Sequence, residues 1–199
     1  MVRRYSDTKI RLLIYSACVG SVYSGTGSVG NVCKAHEIDV ISLDRDMPAD
    51  IRCDILDWDF RSYEPKSFDF IWASPPCTES SIAKTTGVRD IQQANRVSQR
   101  TIDIIRYLDP KYWVIENPQT GKLKEQTFMN ELPFDDIDYC KYGMPYRKRT
   151  RLWNNIDCWR PRPLCKKDLR QHERRQKEAQ GDCTTSAAFK QRGKALRAT

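Results

Sequence analysis

One stretch constrains the fold more than any other. Between two short apolar runs, residues 68–73 and 112–116, apolar side chains recur every three to four positions: Ile91, Ala94, Val97, Thr101, Ile104, Ile105 and Leu108. That spacing predicts an amphipathic helix over Ile91–Leu108. Asp109-Pro110 ends it, because the residue before a proline is pushed out of helical conformation. A strand, a long helix and a second strand make a crossover unit, whose two strands run parallel. Further strands are expected at 11–19 or 19–23, 39–43, 50–55, 137–142 and 150–153, and further helices at 29–35 and 123–130. The reading is an α/β chain with a doubly wound, mostly parallel sheet. Such sheets bind ligands at the carboxyl ends of their strands, so the chemistry should lie just after each apolar run.

Charge divides the chain. Residues 1–140 carry a net −4 and residues 141–199 a net +12, which together give the overall +8. The basic end is either a solvated surface or a phosphate-binding one, since Lys and Arg near a polyanion release its counterions. We expect residues 1–155 to form the catalytic part and 156–199 a basic extension. Within the latter, 166–175 (KKDLRQHERR) would be a basic helix along phosphates or a solvated surface helix. The eight cysteines stand at 18, 33, 53, 77, 140, 158, 165 and 183, with no CxxC pair. Reduced intracellular thiols fit better than a disulfide scaffold. The late Cys158, Cys165, His172 and Cys183 lack the tight pairs of zinc sites, so no metal is expected. No apolar run is long enough to span a bilayer. The basic, then apolar N-terminus could be taken for a secretory leader, but the ligand-type loop directly behind it argues for a cytoplasmic chain.

The strand ends carry distinctive residues. Ser24-Gly25-Thr26-Gly27-Ser28-Val29-Gly30 is a G-x-G-x-x-G opening a helix, although an ordinary glycine turn would look the same. Asp44 ends the next strand and Asp54 the one after, where carboxylates can take a ribose hydroxyl and an adenine amino group. No positive residue lies in the glycine loop and no Walker lysine follows it, which argues against a nucleoside triphosphate. The fourth run ends in Ala73-Ser74-Pro75-Pro76-Cys77. Two prolines fix the loop and present the thiol stiffly, as a nucleophile requires; the alternative is a buried structural cysteine. The fifth ends in Glu116-Asn117-Pro118, where adjacent strands would bring thiol and carboxylate together; the alternative is a capping or ion-paired glutamate.

In this order, the glycine loop, Asp44, Asp54-Ile55, Pro75-Pro76-Cys77, Glu116-Asn117-Pro118 and the Arg-x-Arg of Arg149 and Arg151 resemble the C5-cytosine DNA methyltransferases. The resemblance covers about residues 12–153. The stretches from Glu116 to Lys124 and from Asp138 to Gly143 look like the short members found in phages and large DNA viruses.

The resemblance implies a class I methyltransferase (Rossmann-like) fold with S-adenosylmethionine as cofactor. Cofactor contacts would fall at Tyr23, Ser24, Gly25, Gly27, Asp44, Asp54, Ile55, Ser74 and Pro76. Cys77 would add to C6 of a cytosine flipped out of duplex DNA, and Glu116 would hold N3 and the amino group. Arg149 and Arg151 would steady base and phosphate. It further implies a monomer acting on DNA away from any membrane, in the cytoplasm or in the host nucleus for a eukaryotic virus. The same thiol chemistry would serve a tRNA cytosine methyltransferase. The family's late Gln-x-Gly-Asn-Ser motif is absent, with only Ala179-Gln180-Gly181-Asp182 near it. The strand before the glycines is stretched. A non-catalytic nucleic-acid-binding relic is therefore the third reading.

Overall fold

The computed structural model describes residues 10–16, 28–77 and 90–166. Strands β1 (Arg11–Ser16), β2 (Asp39–Asp44), β3 (Ile51–Arg52), β4 (Phe70–Ser74), β5 (Tyr112–Pro118), β6 (Phe134–Asp138) and β7 (Arg149–Asn154) form one seven-stranded sheet of order β3-β2-β1-β4-β5-β7-β6. The chain winds outward from β1 through β2 to β3, then restarts at β4 on the other side of β1. These contacts are parallel; β7 pairs antiparallel to β5. This is the doubly wound, mostly parallel Rossmann-like α/β architecture that the sequence predicts.

Both faces of the sheet are covered, so β1 reads as an unbroken apolar run. Its alternate residues Leu12 and Ile14 pack with Cys33 of helix α1 (Ser28–Ala35), and with Val29, Val40, Phe70 and Trp72. Leu13 and Tyr15 point into the larger core, with Leu43, Ile71, Ala73 and Ile115. There they join Val97, Ile102, Ile104, Ile105 and Leu108 of helix α2 (Ile91–Leu108). The Asp90 carboxylate accepts from the Gln93 N–H, satisfying one orphan donor at the start of α2. Asp109 closes it in a left-handed conformation at φ 44°.

The structure differs from expectation at three elements. The strand expected at 50–55 is only Ile51–Arg52, because Asp54 folds back to accept the Leu56 N–H at 2.9 Å. The helix expected at 123–130 is two single 3-10 turns, Lys122–Glu125 and Thr127–Met129. Gln126 between them is extended (φ −78°, ψ 134°) and interrupts any longer ladder. The strand expected at 137–142 lies earlier, at Phe134–Asp138, and Tyr139–Tyr142 is a 3-10 turn closed by Gly143 at φ 97°. At that φ a side chain would be strained, so the glycine has a conformational reason.

The chain groups into two compact units. The first runs to Asp135 and takes in Thr150–Arg160; the second holds Asp136–Arg149 and the residues from 161 onward. Among the described residues, no helix is long and apolar enough to cross a membrane, and no three His, Cys, Asp or Glu side chains cluster as metal ligands.

Candidate active site

The register fixes which residues share the carboxyl edge of the first unit. Asp44 pairs with Arg52, Ser16 with Ser74, and Ala73 with Ile115. Tyr15 pairs with Leu43, so Asp44, Ser16, Ser74 and Glu116 form one row across four adjacent strands. Paired residues of neighbouring strands share a face, so Asp44, Ser74 and Glu116 present their side chains on one face of the sheet, beside the switch point between β1 and β4. Cys77 follows three residues beyond Ser74 and is half-buried. Glu116 is 4% exposed.

What fastens the two strand ends is Asn117. Its amide Nδ2 donates to the Pro75 carbonyl at 3.1 Å, and its side chain is fully buried. The loop carrying Cys77 is thus tied to the strand end carrying Glu116 by one buried hydrogen bond, on top of the stiffness of two prolines. Trp72 Nε1 donates to Ser74 Oγ at 3.1 Å, fixing the residue at which the loop begins. Among the described residues, two buried side-chain atoms have no hydrogen-bond partner: Asn117 Oδ1 and Thr150 Oγ1. Both lie at the β5–β7 seam, where Pro118 pairs with Thr150 and Asn117 with Arg151. Orphaned buried polar atoms are rare in folded proteins, and here both sit at the edge that carries Glu116.

The carboxylates differ in their engagements. Asp44 Oδ1 accepts from the Asp46 and Met47 N–H groups, each at 2.8 Å, which holds the side chain at the strand end and leaves Oδ2. Asp54 Oδ1 accepts from Leu56, while Arg45 stands 3.4 Å from Oδ2. Ile55 lies in the main core at 3% exposure, its carbonyl accepting from Arg100 Nε at 3.3 Å. Arg100 also donates to the Trp58 carbonyl at 3.0 Å and stacks over Phe60, so α2 pins the segment that follows β3. Pro76 is half-buried. Carboxylates at this edge suit a ligand bearing hydroxyls and positive charge, and disfavour a polyphosphate. S-adenosylmethionine, a sulfonium with a ribose, fits that donor set. Tyr23, Ser24, Gly25 and Gly27 lie outside the described residues, as do His172, Cys183 and most of the expected basic helix.

The two arginines part company. Arg151, in the first unit, lies with its guanidinium 3.6 Å from the centroid of the exposed Phe134 ring. Arg149, in the second, grips Asp138 in a two-pronged ion pair, Nε at 3.0 Å and Nη2 at 2.8 Å. Asp138 is fully buried and also receives Arg147 Nε at 3.3 Å and the Cys165 N–H at 2.8 Å. Burial by itself would push its pKa up. The Arg149 and Cys165 hydrogen bonds outweigh that and hold the carboxyl down at about 2. Sequence reasoning missed both Asn117's tie and Asp138. The available signal was an acid closing an apolar strand eleven residues ahead of an Arg-x-Arg.

Comparison with known proteins gives the family. The model of the C-5 cytosine-specific DNA methylase family matches residues 43–134, a span that includes Asp44, Cys77 and Glu116. The chain is 36% identical over 162 residues to a probable DNA (cytosine-5)-methyltransferase of Frog virus 3 (isolate Goorha), covering 74% of each chain. The chain belongs to the C-5 cytosine-specific DNA methylase family. Among solved structures, this methylase fold is similar to a putative DNA modification methyltransferase encoded in an E. coli prophage. The TM-score is 0.51 at 14% identity, over 78% of this chain and 52% of that one. The S. pombe Dnmt2 methyltransferase aligns with a TM-score of 0.49 at 12% identity, over 76% and 51%. The chain thus spans about half the length of these two solved proteins.

Proposed function

We propose that this protein methylates C5 of cytosine in duplex DNA through a covalent intermediate, with Cys77 as the nucleophile. The observation that carries the reading is the Asn117 tie, which fastens the Pro75-Pro76-Cys77 loop to the end of the strand that bears the buried Glu116. C5 of cytosine is too weak a nucleophile to take a methyl group unaided. Addition of the Cys77 thiolate to C6 forms an S–C6 bond and pushes the ring electrons toward C5. Glu116 hydrogen-bonds N3 and the exocyclic amine and supplies the proton that makes the ring accept attack. S-adenosylmethionine, when bound, supplies the electrophilic methyl group. Loss of the C5 proton then restores the C5–C6 double bond and expels the Cys77 thiolate. Asp44 Oδ2 would hold ribose hydroxyls and Asp54 the adenine amine, with Ser74 and Pro76 flanking the ligand. Arg151 and Arg149 would contact the base and its phosphates. Residues 1–155 would carry the chemistry, and the basic 156–199 would hold DNA by its phosphates, with little reading of sequence.

The test uses duplex DNA carrying 5-fluorocytosine, whose C5 has no proton to lose. With S-adenosylmethionine, the wild type should form a denaturation-resistant protein–DNA adduct and Cys77→Ser should not. Equal trapping by both would remove Cys77 from its role. Labelled cofactor offered with duplex DNA and with tRNA separates the two substrates. Cofactor binding without transfer to either would sink the enzymatic reading.

A further inference from the structure

A second chemically competent cluster lies in the unit formed by Asp136–Arg149 and the residues from 161 onward, and the methyl-transfer reading makes no use of it. The Cys140 thiol, 8% exposed on the 3-10 turn Tyr139–Tyr142, shares a hydrogen bond with the Cys165 thiol. Cys165 is half-buried, in an irregular segment. Three further contacts hold that segment against the turn. The Cys165 N–H donates to Asp138 at 2.8 Å, the Arg162 N–H donates to the Tyr142 hydroxyl at 2.8 Å, and the Arg162 guanidinium donates to the Lys141 carbonyl. These bonds keep the two sulfurs together without any covalent link. Two thiols in hydrogen-bond contact need only small side-chain rotations to reach bonding distance, ~2.05 Å.

We propose that Cys140 and Cys165 form a dithiol modification site, which a low-molecular-weight disulfide such as glutathione disulfide converts to an intramolecular disulfide. Cys165 is the attacking sulfur, because it is the more exposed of the two. The Arg149 guanidinium lies within electrostatic range of it. The thiolate attacks one sulfur of glutathione disulfide, forming a mixed disulfide and releasing one glutathione thiolate. Cys140 then gives up its proton and displaces the second glutathione from Cys165. The protein loses two electrons and two protons, and two glutathione molecules leave reduced. Burial pushes the Cys140 thiol up, which suits the resolving role: it stays protonated and inert until a disulfide is placed beside it. The product staples the start of the basic C-terminal stretch to the turn that follows Asp138.

The full-length protein, reduced and then equilibrated in glutathione buffers of increasing oxidised fraction, tests this. Free thiols are alkylated and the peptides mapped by mass spectrometry. The expected result is a peptide linked through Cys140 and Cys165, at a buffer ratio where the exposed Cys158 is still mostly alkylated as a free thiol. Cys140→Ser, with Cys140→Ala as a second variant, should halt at a glutathione adduct on Cys165. Cys165→Ser should leave Cys140 unmodified, and Cys158→Ser should change nothing. A persistent glutathione adduct on wild-type Cys165 with free Cys140, or pairing of either residue with Cys158 in preference, would overturn the proposal. The wild-type result alone decides it, so it does not depend on how well any variant folds. The measurement is also independent of methyl transfer.

Discussion

Replacing Asp138 by asparagine keeps its shape and removes its charge, and the structure lets the consequence be worked out. In the folded protein the carboxyl is held at about 2 rather than the ordinary 3.8. A displacement of nearly two pH units corresponds to roughly 2.5 kcal/mol of extra stability when the group is ionised, at about 1.4 kcal/mol per unit. Because the folded value lies below the unfolded one, this contribution is fully present above about pH 4. It is lost as the pH falls through about 2. The asparagine variant should therefore be less stable at pH 7 by roughly 2–4 kcal/mol, since it also leaves the Arg147 and Arg149 guanidinium groups, both largely buried, without a counter-charge. Urea unfolding of both proteins from pH 7 down to pH 2.5 measures the gap. It should be constant down to about pH 4 and shrink below it. A gap that stays flat across the acid range would mean that the carboxylate does not carry the interaction ascribed to it. A gap below about 0.5 kcal/mol at pH 7 would refute the burial of the ion pair itself.

Two further outcomes follow from the sheet. Asn117→Ala deletes the hydrogen bond between the β5 end and the Pro75 carbonyl; trapping on 5-fluorocytosine DNA should slow at least tenfold while cofactor affinity changes little, and an unchanged trapping rate would refute the fastening role. Gly30→Ala should be neutral or stabilise by up to about 1 kcal/mol in thermal melts. A Cβ there meets Ile14 Cδ1 at an ordinary 3.6 Å and the position is helical, so a clear loss of stability would contradict the packing.

The third glycine of the G-x-G-x-x-G has surroundings with room for a methyl group, so the packing there does not call for glycine. The long helix was legible because its periodicity and Asp109-Pro110 both speak locally and agree. The strand ends were legible for the same reason, since Cys77 and Glu116 each sit in a short run whose prolines advertise the turn. What the sequence hid depends on partners far along the chain. The bounds of β6 are tied to Asp138, which sits buried beneath two arginines and the Cys165 N–H. No local pattern announces that arrangement. The break at Gln126 is likewise tertiary: its side-chain amide oxygen accepts from Asn95 of α2, 31 residues away.

The reversal of β7 has a consequence for how such a chain can be elaborated. In the parallel strands, the ligand edge is where the strand finishes, so every functional loop leaves the sheet there. In β7 it is where the strand begins: Thr150 stands opposite Pro118 and Arg151 opposite Asn117, while Asn154 pairs back at Val114. Residues inserted ahead of Arg149 would emerge at that edge without shifting the β5–β7 register. The sheet therefore keeps a doorway through which segments can be lengthened, shortened or exchanged while Cys77 and Glu116 stay where they are.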